Sequence, residues 1–154
     1  MAQHLVTYCN YMRKGINWAW PASGGSVVGW DELELEKVTE LISRKLVAGD
    51  RQMLAQVYLK RGALVPLHTH ESEQMTYVLD GALKVRIAGR ELIVRDGEVV
   101  RIKPRVPHQV EALADTFELD LFSPVRPEWL ACDTENQKEE NCLFMVHNLR
   151  LNKK

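Results

Sequence analysis

Residues 62–81 read GALVPLHTHESEQMTYVLDG and hold two histidines separated by a single residue. Alternate side chains of an extended chain share one face, so His68 and His70 are expected to point the same way. Gln74 follows on the same segment, and Asp80-Gly81 is a turn signal. The segment therefore predicts extended backbone with clustered polar side chains, closed by a tight turn.

A second segment, residues 97–108, reads GEVVRIKPRVPH and ends in a third histidine, His108. Two histidines on one strand, Gln74 on the next and His108 from a distant strand form a donor set for a divalent metal. Imidazole suits Ni, Zn, Fe, Mn or Cu, so the sequence predicts one divalent ion without choosing among them. A polar role at the rim of a barrel is the alternative for each histidine taken alone.

The first segment resembles the first motif of the cupin superfamily. The match runs Gly62-x5-His68-x-His70-x3-Gln74-x6-Gly81, with glutamine where the family usually has glutamate. The resemblance covers roughly Leu54–Arg126, about half of the chain. It implies an all-β fold, the cupin-type double-stranded β-helix or jelly-roll barrel.

The second segment resembles the second cupin motif, as Gly97-x5-Lys103-x-Arg105-x2-His108. Lys103 and Arg105 replace the usual proline and glycine, and Ala112 stands where the family has asparagine. The match therefore depends on Gly97, on His108 and on the turn context of the neighbouring prolines.

The rhythm of strands and turns points to the same fold class. Apolar and polar residues alternate over seven predicted strands: Met53–Leu59, Met75–Leu79, Leu83–Ile87, Glu91–Val94, Val99–Ile102, Gln109–Ala112 and Phe117–Phe122. Short strands separated by regular turn signals predict a sandwich or barrel rather than βαβ units.

The domain organisation is predicted as one barrel with two flanking segments. At 154 residues the chain is long enough for one domain with its own core. We assign residues 1–28 to a leader of uncertain structure, residues 29–130 to the barrel and residues 131–154 to a C-terminal tail. Within the barrel we predict a strand over Val38–Val47. A helix over Asp31–Ile42 competes, because its apolar residues also fit a helical stripe.

Charge and composition exclude several classes of partner. A net charge of -1 and only short basic clusters argue against nucleic-acid binding. No apolar run is long enough to span a membrane, and the N-terminus lacks a signal-peptide core. The odd count of three cysteines predicts reduced thiols in a cytoplasmic protein, although Cys132 and Cys142 could pair. We also predict a homodimer, with Val27–Val47 adding a strand to the partner and so hiding a sheet edge.

A second group of residues lies near the end of the predicted barrel, in the sequence DLFSPVR, residues 120–126. Asp120 and Phe122 are two apart on a strand and share a face. Carboxylates are rarely buried unless they are paired or functional, so this face is a candidate site. The alternative is that Asp120 faces solvent and Phe122 caps the barrel.

The Asp-x-Phe-x3-Arg spacing, with glutamine as the third ligand, resembles a narrower group of cupins. These are the pectin-degradation cupins that linearise 4,5-unsaturated monouronates. The resemblance implies a metal held by His68, His70, Gln74 and His108. It also implies a sugar-acid substrate pocket, catalytic in function, lined by Asp120, Phe122 and Arg126. A neutral Gln74 leaves a bound metal more electrophilic than a carboxylate would. Glu73 is the alternative ligand, on the opposite face by strand parity.

Two other classes of function stay open. The first is a metal-dependent dioxygenase of a flavonol or β-diketone, with Met53, Met75, Tyr77 and Phe122 lining an apolar pocket. The second is a non-catalytic ligand-binding cupin. Fold and metal site do not fix function, so the sequence leaves this choice to experiment.

Overall fold

The computed structural model describes residues 25–130. Most of the predicted leader and all of the predicted tail lie outside these residues, as do Cys132 and Cys142. The described chain divides into two compact units. One spans Leu35–Arg126. The other includes residues 25–34, with a 3-10 helix at Trp30–Glu32, and residues 127–130, which form the short helix α1 (Pro127–Leu130).

Ten strands build the larger unit: β1 (Glu36–Lys37), β2 (Ile42–Ala48), β3 (Met53–Leu59), β4 (Leu64–His68), β5 (Glu73–Asp80), β6 (Ala82–Ile87), β7 (Arg90–Arg95), β8 (Val99–Ile102), β9 (His108–Ala112) and β10 (Thr116–Ser123). They form a six-stranded sheet in the order β1-β2-β3-β10-β5-β8 and a four-stranded sheet in the order β4-β9-β6-β7. All pairs are antiparallel. This double-sheet jelly roll confirms the predicted all-β fold class.

The predicted strands agree with the structure, apart from the segment before β3. Two of them, β3 and β8, coincide with the prediction, and five others are longer by one or more residues. The strand predicted from Val38 is wrong at its start, because the backbone N–H groups of Val38 and Thr39 both donate to the Ile42 carbonyl in a turn. The competing helix over Asp31–Ile42 is wrong as well, since Ile42 already pairs with Leu59 of β3.

The inward face of the six-stranded sheet is apolar along β3 and partly polar along its neighbour β10. Alternate residues of β3, from Met53 to Leu59, are buried and apolar. The inward residues of its neighbour β10 include Glu118 and Asp120, each only 5% exposed. The solvent-facing alternative for Asp120 is therefore wrong. Two buried carboxyl groups in one barrel interior mark it as more than a packing core.

The last glycine of the first motif joins the two sheets. Gly81 lies between β5 and β6 with a φ of 97°, a conformation that L side chains rarely adopt. A Cβ atom there would lie 2.4 Å from the carbonyl oxygen of Asp115. The turn therefore requires glycine for two reasons.

No helix within residues 25–130 has the length and apolar character needed to cross a membrane.

Candidate metal centre

Three histidines meet at one end of the barrel interior. His68 ends β4 and pairs in register with His108, the first residue of β9. His70 follows just beyond β4, so the prediction that both histidines lie on one strand is wrong for His70. One ring nitrogen from each of the three lies within 4.8 Å of the others. The motifs that were far apart in sequence therefore supply one cluster.

Backbone carbonyl groups set the tautomer of all three rings. The Nδ1 atoms of His68 and His108 lie 2.8 Å from the carbonyl oxygens of Pro66 and Val106. The Nδ1 atom of His70 lies 2.9 Å from the carbonyl oxygen of Ser72. A carbonyl oxygen only accepts, so each Nδ1 carries the proton and each neutral ring keeps a lone pair on Nε2. Such outer hydrogen bonds are typical of metal-binding histidines.

Gln74 turns its oxygen toward the same space. Its Nε2 atom donates to Thr76 Oγ1 at 2.9 Å and to Asp120 Oδ1 at 3.1 Å. The amide oxygen Oε1 is left facing His70 Nε2 at 3.0 Å. When the His70 ring is neutral and carries its proton on Nδ1, its Nε2 atom is an acceptor, as is the Gln74 oxygen. Two acceptors at this distance repel unless a cation bridges them.

His108 provides a further observation that fits a cation. Its Nε2 atom is buried and has no hydrogen-bond partner among the described residues. Leaving a buried polar atom unpaired costs about 1–3 kcal/mol, and a metal ion would satisfy it. The three histidines thus form a cluster that could hold a divalent ion, and the Gln74 oxygen lies beside His70.

The electrostatics keep the cluster in the form that binds metal. Burial lowers the pKa of His68 from 6.5 to about 4, with smaller contributions from the charges of His108, Arg126 and His70. Burial likewise lowers the pKa of His108. Both rings are therefore neutral near pH 7, and the neutral imidazole is the form that ligates metals.

Asp120 lies directly behind Gln74. Its Oδ1 atom accepts hydrogen bonds from the Gln74 amide and from the Thr76 hydroxyl. Burial raises the pKa of Asp120, and the bonds from Thr76 and Gln74 and the charge of Arg126 partly offset that rise. Asp120 therefore fixes the orientation of the Gln74 amide, a role that the sequence did not reveal.

Glu73, the alternative ligand, points away from the histidines. Its carboxylate accepts from Arg101 Nε at 3.0 Å and from an Arg101 terminal nitrogen at 2.5 Å. Gln74 is buried and Glu73 lies on the outer side of the sheet, as strand parity requires. The structure places Gln74 beside the histidines and Glu73 outside.

Phe122 and Arg126 complete the group that the sequence named. The Phe122 ring is fully buried, and its centroid lies 5.7 Å from that of His70 in an edge-on arrangement. The Arg126 guanidinium lies 5.3 Å from the centroid of the Phe122 ring. Arg126 is buried, and its charge lowers the pKa of His68, His108 and Asp120. Pairwise contacts link all seven residues named from sequence in one cluster.

Only two of the four residues expected to line an apolar dioxygenase pocket face the interior. Met53 and Phe122 face the interior. Met75 and Tyr77 lie on the outer face of the six-stranded sheet, each 39% exposed. The parity of β5, which buries Gln74 and Thr76, places them there.

Sequence reasoning missed two residues of this region. Thr76 supports Asp120, and Glu118 lies two residues before Asp120 on the same inward face. The inward parity of β5 and β10 would have found both. Arg105 adopts a φ of 61° and its backbone N–H donates to the His70 carbonyl oxygen at 2.8 Å. This left-handed backbone explains why glycine is usual at that motif position.

Comparisons with known proteins agree with this geometry. The family model described as a cupin domain matches residues 55–123. KdgF from Halomonas sp. is 33% identical, with a TM-score of 0.61, over 64% of this chain and 94% of that one. An RmlC-like cupin from Shewanella frigidimarina shares the fold at 21% identity, with a TM-score of 0.64, over 69% of this chain and 96% of that one.

A further relative is the uncharacterized protein MJ1618 of Methanocaldococcus jannaschii. It is 28% identical over 99 residues, which are 64% of this chain and 78% of the relative. The domain match, the solved relatives and the two motifs agree with the jelly-roll topology. This chain belongs to the cupin superfamily.

Proposed function

We propose that this cupin is a metal-dependent enzyme that linearises unsaturated uronate sugars in polysaccharide breakdown. The motif resemblance to the uronate-linearising cupins supports the proposal, as does the 33% identity with KdgF from Halomonas sp.. One observation carries it: the buried guanidinium of Arg126 and the buried carboxyl group of Asp120 lie beside the cluster of three histidines that could hold a metal. These are the groups that a small sugar acid requires.

The substrate of such a reaction is a cyclic enol ether and hemiacetal that carries a carboxylate. Ring opening removes the proton of the hemiacetal hydroxyl, breaks the bond between the hemiacetal carbon and the ring oxygen, and returns a proton to that oxygen, which leaves an aldehyde and an enol. The enol then loses its hydroxyl proton and gains one on the neighbouring carbon, which gives a ketone. The atoms and electrons balance without an oxidant or reductant. A bound divalent ion would supply Lewis-acid polarisation of a substrate oxygen.

Arg126 is suited to the substrate carboxylate. Its planar guanidinium offers a fork of donors that matches a carboxylate in a bidentate way. Its guanidinium lies over the Phe122 ring, which meets His70 edge-on, and its charge lowers the pKa of His68, His108 and Asp120. A ligand that reaches the metal donors therefore lies within the field of this cation. Phe122, fully buried beneath the guanidinium, packs under Arg126 and keeps water from that side of the site.

Asp120 is suited to moving the proton. Burial raises the pKa of this carboxyl above its ordinary value, which brings it closer to the pH at which an acid–base group works best. Its Oδ1 atom is held by Gln74 and Thr76, so the carboxyl group has one defined orientation. Proton transfer requires it within about 3 Å of the reacting group.

The test follows the ultraviolet absorbance of the unsaturated uronate with metal-loaded protein. The parent protein should remove the absorbance. Arg126→Lys keeps the charge but loses the fork, so it should mainly raise KM. Arg101→Lys is the matched control, since Arg101 pairs with Glu73 on the outer face, and it should match the parent.

Asp120→Asn should lower kcat by about 10²–10⁴-fold if Asp120 carries the proton. Because Asp120 also holds Gln74, each variant is assayed at measured, equal metal content. Asp115→Asn, at an exposed turn, is the control for the loss of a carboxylate.

Three results would overturn the proposal. The first is unchanged absorbance with every unsaturated uronate tried. The second is oxygen consumption with a flavonol or β-diketone, which identifies the dioxygenase. The third is tight binding of a sugar acid without turnover, which identifies a binding module. The cytoplasmic location remains a prediction from the sequence.

A further inference from the structure

The outer face of the six-stranded sheet is apolar at its centre. Phe117, Leu119 and Leu121 project outward from β10, because the alternate residues of this strand are buried. Leu121 is flanked by Leu54 on β3 and by Met75 on β5. Leu119 is flanked by Tyr77 on β5 and by the uncharged Gln56 on β3. We call the surface formed by these residues the six-strand outer face.

The face is continuous across four strands. Tyr77 has Val99 of β8 as its next neighbour, and Val99 is 58% exposed. On the other side, Phe117 stacks on Tyr58 of β3 with ring centroids 4.8 Å apart. Strands lie about 4.8 Å apart and outward residues about 6.6 Å apart, so the patch measures roughly 20 by 18 Å. Contiguous apolar patches of this size are often functional.

The four-stranded sheet of the same barrel provides an internal comparison. Its outer face carries the ion pair of Lys84 with Glu111 at 2.5 Å. Beside it Arg86 bonds to Glu91 at 3.1 Å and to Gln109 at 3.2 Å. That is the charged, self-paired surface of a sheet that faces water. The fold therefore does not require an apolar outer face, and the six-strand outer face is adapted to a contact.

The charge pattern favours a second copy of the chain as the occupant. The centre of the face carries no charge. Its border carries Lys45 on β2 and the ion pair of Glu73 with Arg101. A face that meets its own copy about a two-fold axis must be complementary to itself. An acidic or basic partner would find no opposite charge at the centre of this face.

A two-fold axis along β10 tests that complementarity residue by residue. It places Leu119 and Leu121 against their own copies. It also places Leu54 of one protomer against Met75 of its partner, because these residues flank Leu121 on opposite sides. No like charges meet, and two sheets pack in this way in β-sandwiches. The projected patch, roughly 350 Å², would form the centre of a standard interface of about 800 Å² per partner.

We propose that the six-strand outer face is the contact between two copies of this chain, with one six-stranded sheet packed on the other. The contact differs from the strand-edge pairing that the sequence predicted for Val27–Val47. It does not depend on the proposed activity.

The test is the mass of the full chain by sedimentation equilibrium over micromolar concentrations. The parent should be a dimer. Leu119→Glu places two carboxylates against each other at the axis and should shift the dissociation constant by at least 100-fold toward monomer. Met75→Lys is a second variant at an already exposed position and should weaken the dimer as well. Ile93→Glu, on the outer face of the four-stranded sheet, is the matched control and should remain dimeric.

Mixing two oppositely charged variants of Leu119 tests the position of the two-fold axis directly. Leu119→Glu and Leu119→Lys should each be monomeric alone and should form a heterodimer when combined, since the two-fold axis brings residue 119 against itself. A circular-dichroism spectrum equal to that of the parent confirms that the variants fold. A dimer that persists in both Leu119→Glu and Met75→Lys would overturn the proposal. A monomeric parent would also overturn it and would leave a different partner, or residues outside 25–130, as the occupant.

Discussion

Glu118 makes the stability of this fold sensitive to pH. Its side chain lies in the barrel interior, opposite Val57 and Val78 in the register of β10. Its Oε2 atom is buried without a hydrogen-bond partner among the described residues. Burial, and then the neighbouring charge of Asp120, raise the pKa of Glu118 well above its ordinary value of 4.5.

The sign of the effect follows from proton counting. The unfolded chain ionises Glu118 near pH 4.5, whereas the folded chain keeps this proton to higher pH. Between the two pKa values the folded state holds one more proton, so the free energy of unfolding falls as the pH rises. The slope for one proton is about 1.4 kcal/mol per pH unit. Glu118→Gln keeps the shape and has no proton to lose, so this slope should disappear.

Urea unfolding of metal-free protein between pH 4.5 and 8 measures the difference. Relative to the parent, Glu118→Gln should gain about 1.4 kcal/mol per pH unit until the pH passes the folded pKa, and should gain nothing beyond it. Any constant cost of burying the amide shifts the whole curve and leaves its slope unchanged. Glu111→Gln is the control: the hydrogen bond from Lys84 lowers the pKa of Glu111, so its pH-dependent contribution lies at and below pH 4.5, and its curve should run parallel to that of the parent over this range. Parallel curves for the parent and Glu118→Gln would refute the reasoning.

Other predictions concern the metal site and the turn between the sheets. Replacing His68 and His70 together with alanine should remove stoichiometric metal, measured by elemental analysis; one ion per chain in that variant would place the site elsewhere. Because the pKa of His68 is lowered to about 4, protons compete weakly at this ligand, and the parent should retain its metal on dialysis at pH 5.5. Gly81→Ala should lower the free energy of unfolding by about 1–3 kcal/mol, since the new Cβ meets the Asp115 carbonyl. Gly89→Ala, also at positive φ but with nothing within 4 Å, is the control and should cost less in the same urea titration.

Local pattern was sufficient for much of this fold. The alternation of β3 and β8 located both strands to the residue, because the side-chain period of a strand is a property of the backbone alone. The spacing of His68 and His70, with Gln74 beyond, predicted a donor set, although only His68 lies in β4 and Gln74 belongs to β5. The segment before β3 failed, because its apolar residues satisfy two periods and only pairing with β3 selects the strand.

Tertiary structure decided what these side chains meet. His108 comes beside His68 because β9 pairs with β4, a contact that depends on register across distant segments. Asp120 supports Gln74, and Glu118 is buried without a partner, because β10 lies between β3 and β5 in the sheet. Parity divides a strand into two faces but does not say which one the second sheet will cover. That choice belongs to the packed molecule, and it set Gln74 in the interior and Met75 on the outer face.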